Sequence, residues 1–500
     1  MTLLAASAPL IVVLASMGVL RWPAAKAGAA GTLITLVLAL GFFDLSGIAP
    51  TVEVTWAIAG IFTEALHSTF SILWVVLPAL SIYELQQRTG ALEVIREALV
   101  GLTDDRVLQA VLIAWFFGLF MEGAAGFGTP VALAAPLLVG LGYPPITAVA
   151  MALVGHAAGV SFGAVGTPIF AQAEITGLPA AEIGVATALL HAALGTFLVA
   201  VVMRMAGAPL SLRIAIWALL AGACFFVPFV ALAILAGPEL PTLGGALAGA
   251  IMFVVTMRWR AGGRAKLPAP ASLLLAAAPY LIILALVLAT RLIDPLPAVL
   301  GGIQIGWSLH DTFRGTFQPF YHPGTILLLG FVLGGLATGR ASHLLPAAVA
   351  AAARVLPVAA ALLAMLAMAR LMVHSGMIAT LAEGAASSGA VWPLLAPAVG
   401  VLGTFVTGSA TASSILFAHF QLTTAGALAL PATTMVAAQG FGAAIGNIVA
   451  PHNIIAGAAT VGLHRREGDI LARTAVTCAT YAVAGGLLVM VLVTFATVPL

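Results

Sequence analysis

Small hydroxyl residues and glycines cluster at two points of an otherwise apolar chain. Residues 122–129 read EGAAGFGT and residues 407–414 read TGSATASS. Short hydroxyls and free backbone amides can donate hydrogen bonds to an oxyanion, although Ser and Thr often bond only to nearby backbone carbonyls. The candidate donors in these clusters are Gly126, Thr129, Ser409, Thr411, Ser413 and Ser414, and Thr167 is a further candidate in the segment 163–168.

Glu122 immediately precedes the first glycine cluster. A carboxylate among apolar residues costs several kcal/mol unless it is protonated, paired or hydrated. Such a carboxyl could bind and release a proton. It could instead cap the amides of the turn beside it, and the sequence leaves both interpretations open.

Glycine and proline interrupt two further apolar segments, at residues 163–168 (GAVGTP) and 446–451 (GNIVAP). Proline removes a backbone donor and frees a carbonyl upstream, so we expect a broken helix at each place. Half-helix N-termini attract anions, whereas simple proline kinks are the alternative. The polar residues near the two breaks that could line a binding site are His156, Gln439, Asn447, His452 and Asn453.

Arg370 is a basic residue well inside an apolar segment. Arginine binds a carboxylate through two parallel hydrogen bonds, so Arg370 is a candidate anion-binding residue. The alternatives are that it extends to the membrane surface or pairs with Glu64 or Glu383.

Little in the sequence indicates an enzyme. Residues 159–163 read GVSFG, which matches the G-x-S-x-G pattern of serine hydrolases, but that pattern requires a strand-to-helix turn. An intramembrane hydrolase is therefore a remote alternative. The two cysteines, Cys224 and Cys478, both lie in apolar runs, so we expect no disulfide framework, metal site or cofactor.

The composition predicts how these residues are positioned. Apolar residues make up 62% of the 500 residues and charged residues only 7%, with a net charge of +2. Such a chain is solvated mainly by lipid, and its continuous apolar runs favour membrane-spanning helices over a β-barrel. Lys and Arg are scattered, which argues against a nucleic-acid partner. The sequence predicts a single all-α polytopic membrane domain over residues 1–500.

About 12 transmembrane helices and two re-entrant hairpins are expected. The hairpins are predicted at residues 107–140 and 391–424, because a Gly/Ser/Thr-rich centre suits a turn better than a straight helix. The predicted spans are 2–20, 28–43, 62–83, 143–172, 180–203, 214–235, 241–257, 272–290, 323–339, 355–375, 430–461 and 474–497.

The distribution of basic residues predicts the orientation of the chain. Short cytoplasmic loops of membrane proteins carry an excess of Lys and Arg. With both termini outside, every Lys and Arg except Arg291, Arg314 and Arg370 falls on the cytoplasmic side. We call the side of the two termini the predicted outer side. The membrane is expected to be a cell inner membrane.

The two hairpin regions also resemble each other. Phe120, Gly123 and Thr129 match Phe405, Gly408 and Ser414 at an offset of 285 residues, and His156 matches Gln439 at 283. The first hairpin is expected to enter from inside and the second from outside. Inverted repeats with paired broken helices are typical of secondary transporters. The halves are placed at about 62–203 and 355–497, with residues 204–354 as connecting helices.

The sequence resembles the L-lactate permease family, most specifically at residues 122–131, which read EGAAGFGTPV. Residues 137–142, 162–166, 237–241 and 459–469 extend the resemblance through most of the chain. The resemblance implies symport of lactate, glycolate or similar 2-hydroxy monocarboxylates with a proton, on an ion-transporter-type fold. A homodimer is expected only by analogy with that fold.

Several residues depart from the family pattern. Ala410 and Ser414 stand where the family usually has Asp and Asn, and Asn447 stands where it has Lys. His156 and Gln439 likewise replace family Asn residues, and Arg370 stands where an apolar residue is expected. The anion-binding charge is therefore hypothesised to have moved from position 447 to Arg370. Transport of a dicarboxylate or sulfonate, and coupling to sodium, are the alternatives, and a channel is a remote one.

Overall fold

The computed structural model of the protein describes residues 2–43, 45, 48, 52–100, 102–126, 128–261, 270–463 and 466–496. Phe127 of the first glycine cluster, and Arg264, Lys266 and Arg465 of the predicted cytoplasmic loops, lie outside the described residues. Within the described part, ten helices are long and apolar enough to cross a membrane, or eleven if one bent pair counts as a single span. The predicted all-α polytopic fold is confirmed.

Helices follow one another along nearly the whole described chain. Up to the first break they are α1 (Thr2–Gly18), α2 (Ala24–Gly41), α3 (Val54–Arg88), α4 (Ala91–Val100), α5 (Arg106–Ala110), α6 (Gly118–Ala124), α7 (Thr129–Gly140), α8 (Pro145–His156) and α9 (Gly163–Thr176). A π-helical segment, Val111–Phe117, joins α5 to α6, and a 3₁₀ turn, Ala157–Phe162, joins α8 to α9.

The middle of the chain contains α10 (Ala180–Leu194), α11 (Thr196–Met205), α12 (Leu212–Leu235), α13 (Pro241–Ala261), α14 (Pro270–Leu292), α15 (Leu296–Gly301) and α16 (Pro323–Ala337). The last part contains α17 (Leu344–His374), α18 (Met377–Ala386), α19 (Trp392–Thr407), α20 (Ala410–Ala427), α21 (Ala432–Gly446), α22 (Pro451–Thr460) and α23 (Glu467–Ala496). Three further 3₁₀ turns are Ala341–His343, Gly389–Val391 and Asn447–Val449.

The same order of elements occurs twice. A long helix with an internal proline (α3 or α17) ends before a glycine of positive φ, Gly90 or Gly376, and a short helix follows. A hairpin comes next, and then two helices separated by a 3₁₀ turn. The long helices α3 and α17 pack against each other. This order agrees with a repeat, while the exact boundaries of the two halves stay a prediction.

The predicted spans and the observed helices differ in detail. Predicted span 430–461 consists of α21, a 3₁₀ turn and α22. Predicted span 180–203 is the pair α10 and α11, bent by 46°. The entering arms of both predicted hairpins, Arg106–Ala124 and Gly389–Thr407, are each 19 residues long and could cross a bilayer alone. The Gly/Ser/Thr-rich centre of each hairpin therefore predicts the turn but not the length of the helix that leads to it.

A two-stranded antiparallel β-hairpin was not predicted. Its strands, β1 (Ile305–Leu309) and β2 (Phe313–Phe317), pair with Leu309 opposite Phe313. Phe313 is fully buried against Gly60 of α3, where an added Cβ would lie only 2.2 Å from the phenyl ring. The strands are too short to give a clear alternating pattern, and their position depends on packing against α3.

An ion pair with a buried glutamate joins a loop to a helix end on the predicted outer side. Arg291 Nη2 lies 2.7 Å from Glu239 Oε1, and the guanidinium stacks over the ring of Tyr321 at 3.7 Å. Burial raises the pKa of the Glu239 carboxyl, and the charge of Arg291 opposes this increase. The pair therefore holds the loop before α13 against the end of α14.

Replacing Arg291 with Met leaves the buried Glu239 carboxyl without its cation, so we expect the free energy of unfolding to fall by about 3–5 kcal/mol. The variant's carboxyl binds its proton more tightly in the folded than in the unfolded protein. Stability is therefore expected to recover as the pH falls towards the ordinary carboxyl pKa of about 4.3.

Thermal unfolding of the purified protein in detergent, at neutral and at mildly acidic pH, measures both effects. Arg314→Met, which changes an exposed arginine of β2, is the matched control and should leave the unfolding temperature unchanged. An unchanged unfolding temperature for Arg291→Met would contradict a stabilising pair.

Candidate functional site

The first hairpin turns back so that its two ends meet. Arg106 Nη2 donates to the carbonyl of Leu141 at 3.0 Å, and the Tyr143 hydroxyl donates to the carbonyl of Arg106 at 2.7 Å. The arm from α5 to α6 and the returning α7 therefore begin and end on one side. Gly126 and Gly128, with φ of 58° and 78°, form part of the tip between the arms.

The second hairpin is held by side chains along its length. Trp392 Nε1 donates to Gln421 Oε1 at 3.0 Å, and Gln421 Nε2 donates to the carbonyl of Ala396 at 3.3 Å, which ties α19 to α20. Gly408, with φ of 69°, ends α19. Ser409 then caps α20, and its hydroxyl accepts from the amide of Ala412 at 3.3 Å.

The first break interrupts the helix that follows the first hairpin. After the 3₁₀ turn, the three residues Ala164, Val165 and Gly166 all have positive φ, at 42°, 57° and 83°. The helix restarts at Thr167, whose hydroxyl donates to the carbonyl of Ala164 at 2.7 Å. An added Cβ at Gly166 would lie 2.4 Å from the carbonyl oxygen of Pro238, so only glycine fits against that loop.

The second break has a different local form. A 3₁₀ turn begins at Asn447, and α22 begins at Pro451. Asn453 Nδ2 donates to Asn447 Oδ1 at 2.8 Å and lies 3.5 Å from the carbonyl of Gly408. Asn453 therefore joins the second break to the tip of the second hairpin.

Both hairpin tips and both breaks line one cavity. Its empty volume, including the part open to solvent, is about 370 Å³. The lining residues are Glu122, Gly126, Gly128, Val160, Gly163, Ala164, Thr167, Pro168, Gly408, Ser409, Ala410, Thr411 and Asn447. Six of the candidate residues from the sequence are among them.

Glu122 is held tightly at the wall of this cavity. Its side chain is almost completely buried, and an added Cβ at Gly163 would lie 2.1 Å from its Oε1. Gly126 is next to the same oxygen, since a Cβ added at Gly126 would lie 3.5 Å from Glu122 Oε1. The carboxyl therefore fits between two glycines, one from the hairpin tip and one from the first break.

His156 lies behind Glu122. Its Nδ1 is 2.6 Å from the carbonyl of Ala152, and because a carbonyl only accepts, this nitrogen carries the hydrogen. Its Nε2 is 3.9 Å from Glu122 Oε2, which is longer than a hydrogen bond. His156 does not line the cavity itself, but it is the buried neighbour of the acidic group that does.

The lining carries little fixed charge. Among the described residues that line the cavity, Glu122 is the only one with an ionisable carboxyl, and none is Lys or Arg. Donors are supplied instead by the start of α20, where Ser409, Ala410 and Thr411 face the cavity. The first amides of a helix have no partner within the helix and carry a partial positive charge.

The remaining candidates in the hairpins take other positions. Gln439 Nε2 donates to Ser413 Oγ at 3.2 Å, and Ser413 Oγ donates to the carbonyl of Gly400 at 2.9 Å, so these two residues bind the second hairpin to α21. Ser414 is buried. Thr129 is the first residue of α7, and its amide bonds to Gly126. His452 is exposed next to Gly408.

Arg370 does not line the cavity. Its Nη2 donates to the carbonyl of Glu174 at 2.7 Å and to Ser68 Oγ at 3.3 Å, and its Nε lies 3.9 Å from Glu64 Oε2. Glu174 is seven residues beyond Thr167 on α9, a distance of about 10 Å along a helix. Pairing with Glu64 was one of the alternatives read from the sequence, and the contacts match it.

Ser161 of the G-x-S-x-G pattern is not arranged as a nucleophile. It is fully buried in the 3₁₀ turn, and its hydroxyl donates to the carbonyl of Gly440 at 3.1 Å. His191 Nε2 lies 3.0 Å from the same oxygen, and His191 was assigned no role from the sequence. The pattern itself was the only signal that could have pointed to this pair.

Comparison with known proteins gives a consistent result. The family model for L-lactate permease matches residues 2–496. The L-lactate permease of Bacillus subtilis (strain 168) is 28% identical over 521 residues, covering 93% of this chain and 91% of that protein. Glycolate permease GlcA of Escherichia coli (strain K12) is 28% identical over 535 residues, with 94% and 92% covered.

Two solved transporter structures resemble the fold. The Alcanivorax borkumensis YdaH transporter matches with a TM-score of 0.53 at 17% identity, covering 94% of this chain and 98% of that one. Neisseria gonorrhoeae MtrF, described as one of a class of antimetabolite efflux pumps, matches with a TM-score of 0.51 at 15% identity and coverage of 93% and 95%. These identities support the fold alone. The family match over residues 2–496, together with the paired hairpins and breaks, confirms the resemblance found in the sequence: the chain belongs to the L-lactate permease family.

Proposed function

We propose that this multi-pass membrane transporter carries small 2-hydroxy monocarboxylates, of the lactate and glycolate type, together with a proton. The observation that carries the proposal is the shared cavity, in which Glu122 meets the start of α20 without a lysine or arginine among the lining residues. The names of the relatives, L-lactate permease and glycolate permease, support the substrate class.

The electrostatics of the cavity explain why a proton would accompany the anion. Two carboxylates about 4 Å apart repel each other strongly in surroundings of low dielectric constant. Protonation of Glu122 removes that repulsion and provides a hydrogen-bond donor to the substrate. The amides of Ala410 and Thr411 then stabilise the substrate carboxylate. One anion and one proton together carry no net charge across the membrane.

The position of the cavity fits alternating access. It lies where two hairpins and two broken helices meet, which is where transporters with inverted repeats bind their substrates. We further propose that the membrane is the cell inner membrane, that both termini lie outside, and that the protein forms a homodimer. Sodium coupling, which the first experiment below tests, and a dicarboxylate or sulfonate as substrate are the alternatives.

Glu122→Gln keeps the size and hydrogen bonding of the side chain but cannot release a proton. We expect it to abolish uphill uptake of lactate driven by a pH gradient, while exchange of lactate across the membrane continues. Both are measured with labelled lactate in proteoliposomes. Glu53→Gln, which changes an exposed glutamate before α3, is the control and should behave as wild type. Accumulation driven by sodium without alkalinisation of the outside medium would contradict proton coupling.

Cysteines in the cavity are expected to be protected by substrate. In a background without Cys224 and Cys478, Ser409→Cys and Thr167→Cys should react more slowly with a thiol reagent when lactate is saturating. Ser387→Cys, at an exposed position after α18, should react at the same rate with and without lactate. Equal rates at the two cavity positions would show that the substrate does not bind between the tips and breaks.

Gly163→Ala places a methyl group 2.1 Å from Glu122 Oε1, so the carboxyl must move. We expect uptake and exchange to fall by more than about tenfold, because a displacement of about 1 Å at a reacting group can cost about 100-fold. Gly140→Ala is the matched control, since an added Cβ there meets no atom within 4 Å. Normal transport by folded Gly163→Ala would mean that the exact position of Glu122 is unimportant.

A further inference from the structure

A chain of buried polar side chains runs outside the cavity and ends at its wall. The Tyr481 hydroxyl of α23 lies 3.0 Å from His191 Nδ1, and His191 Nε2 lies 3.0 Å from Ser161 Oγ. Ser161 in turn donates to the carbonyl of Gly440 on α21 at 3.1 Å. The three side chains are at most 1% exposed. The chain therefore connects four segments of the protein where water is excluded.

The donation from Ser161 to Gly440 sets the direction of the other hydrogen bonds in this chain. The Gly440 carbonyl accepts, so the single hydrogen of Ser161 is used there. Ser161 Oγ must then accept from His191 Nε2, and the Nδ1 of a neutral imidazole must accept from Tyr481. The tyrosine thus fixes the tautomer of the histidine, and the histidine fixes the hydroxyl of the serine.

Aromatic packing holds the imidazole in place. The ring centroids of His191 and Phe441 are 4.7 Å apart, and Phe441 stacks on Tyr481 at 4.8 Å with an interplanar angle of 15°. The ring therefore has little freedom to turn away from Ser161.

The end of the chain is next to the proton-binding candidate. Ser161 belongs to the 3₁₀ turn and is two residues from Gly163, against which Glu122 Oε1 packs. On its other side, the turn is held by Thr242 of α13, whose hydroxyl donates to the carbonyl of Gly159 at 2.8 Å. A turn without regular α-helical hydrogen bonds depends on such outside contacts for its position.

We propose that His191 is a positioning residue for transport: held by Tyr481, it fixes the turn at Ser161 and thereby places Gly163 against the carboxyl of Glu122. This inference rests on the proposed role of Glu122 as proton carrier. His191 touches neither the cavity nor Glu122, and it acts only through the backbone of the turn.

The double variant His191→Phe/Tyr481→Phe tests the proposal. Removing both partners leaves neither a buried phenol nor a buried imidazole without a bond, so the fold should be retained. We expect the KM for lactate exchange to rise about three- to tenfold, as for loss of one positioning hydrogen bond. We also expect a hydrophobic carbodiimide to modify Glu122 faster by a similar factor, as measured by mass spectrometry.

Thr187→Val is the matched control. Thr187 is fully buried on α10, one turn before His191, and in the described part of the chain its hydroxyl has no hydrogen-bond partner. Its replacement should change neither KM nor the rate of Glu122 modification. Tyr481→Phe alone removes the hydrogen bond that fixes the tautomer of His191, and it should also raise the KM. This single variant serves as the test if the double variant is not recovered folded.

Wild-type KM and wild-type modification of Glu122 in the folded variants would overturn the role of His191. Glu122→Gln is assayed in parallel, so that a failure of the proposed proton carrier can be distinguished from a failure of the positioning role of His191. If Glu122→Gln still accumulates lactate uphill, the proposed proton carrier is wrong. If it does not, and the His191 variants behave as wild type, only the positioning role is wrong.

Discussion

Backbone groups that leave a helix inside a membrane must find hydrogen-bond partners within the protein, because lipid offers none. Here the chain leaves its helices at two tips and two breaks, and all four lie around one cavity. Thr167 bonds to the first break, Asn453 approaches the second tip, and Thr242 bonds to the 3₁₀ turn. The polar residues of the site thus satisfy the backbone first. Donors left over at the helix starts are then available to a ligand.

The charged residues are distributed according to the same constraint. Among the described residues, ion pairs of arginine that join α3 to α17 lie away from the cavity: Glu84 with Arg354 at 2.8 Å and Glu64 with Arg370 at 3.9 Å. Both connect α3 to α17, the two long helices that pack against each other. Within the described lining, by contrast, Glu122 has no lysine or arginine to neutralise it. Paired charges connect the long helices, whereas the carboxyl at the cavity has His156 Nε2 at 3.9 Å as its neighbour.

Much of the fold could be predicted from local features of the sequence. Apolar length predicts spans, and Gly, Ser and Pro inside an apolar run predict tips and breaks. These patterns also predicted Gly126, Thr167, Ser409, Thr411 and Asn447, which line the cavity together with Glu122. They depend on backbone chemistry that a short stretch of residues carries by itself.

The contacts that individual polar side chains make could not be predicted from the sequence. His156 and Gln439 hold matching positions, yet one lies beside Glu122 and the other bonds to Ser413. At the offset of 285 residues Thr407 takes the place of Glu122, and its hydroxyl bonds to its own hairpin backbone. Arg370 illustrates the same limit, because its partners on α3 and α9 depend on how three helices pack. Pairwise packing of distant segments is not encoded in any short pattern.

The left-handed segment from Ala164 to Gly166 has an energetic consequence. A β-branched residue such as Val165 strongly disfavours a φ of 57°, and each residue in such a conformation costs about 1–3 kcal/mol. The surrounding structure supplies that energy, with Pro238 pressed against Gly166. The segment therefore stores backbone strain at the wall of the cavity. Any conformation of the carrier that lets these residues return to ordinary backbone angles gains this energy, which lowers the cost of leaving the present state.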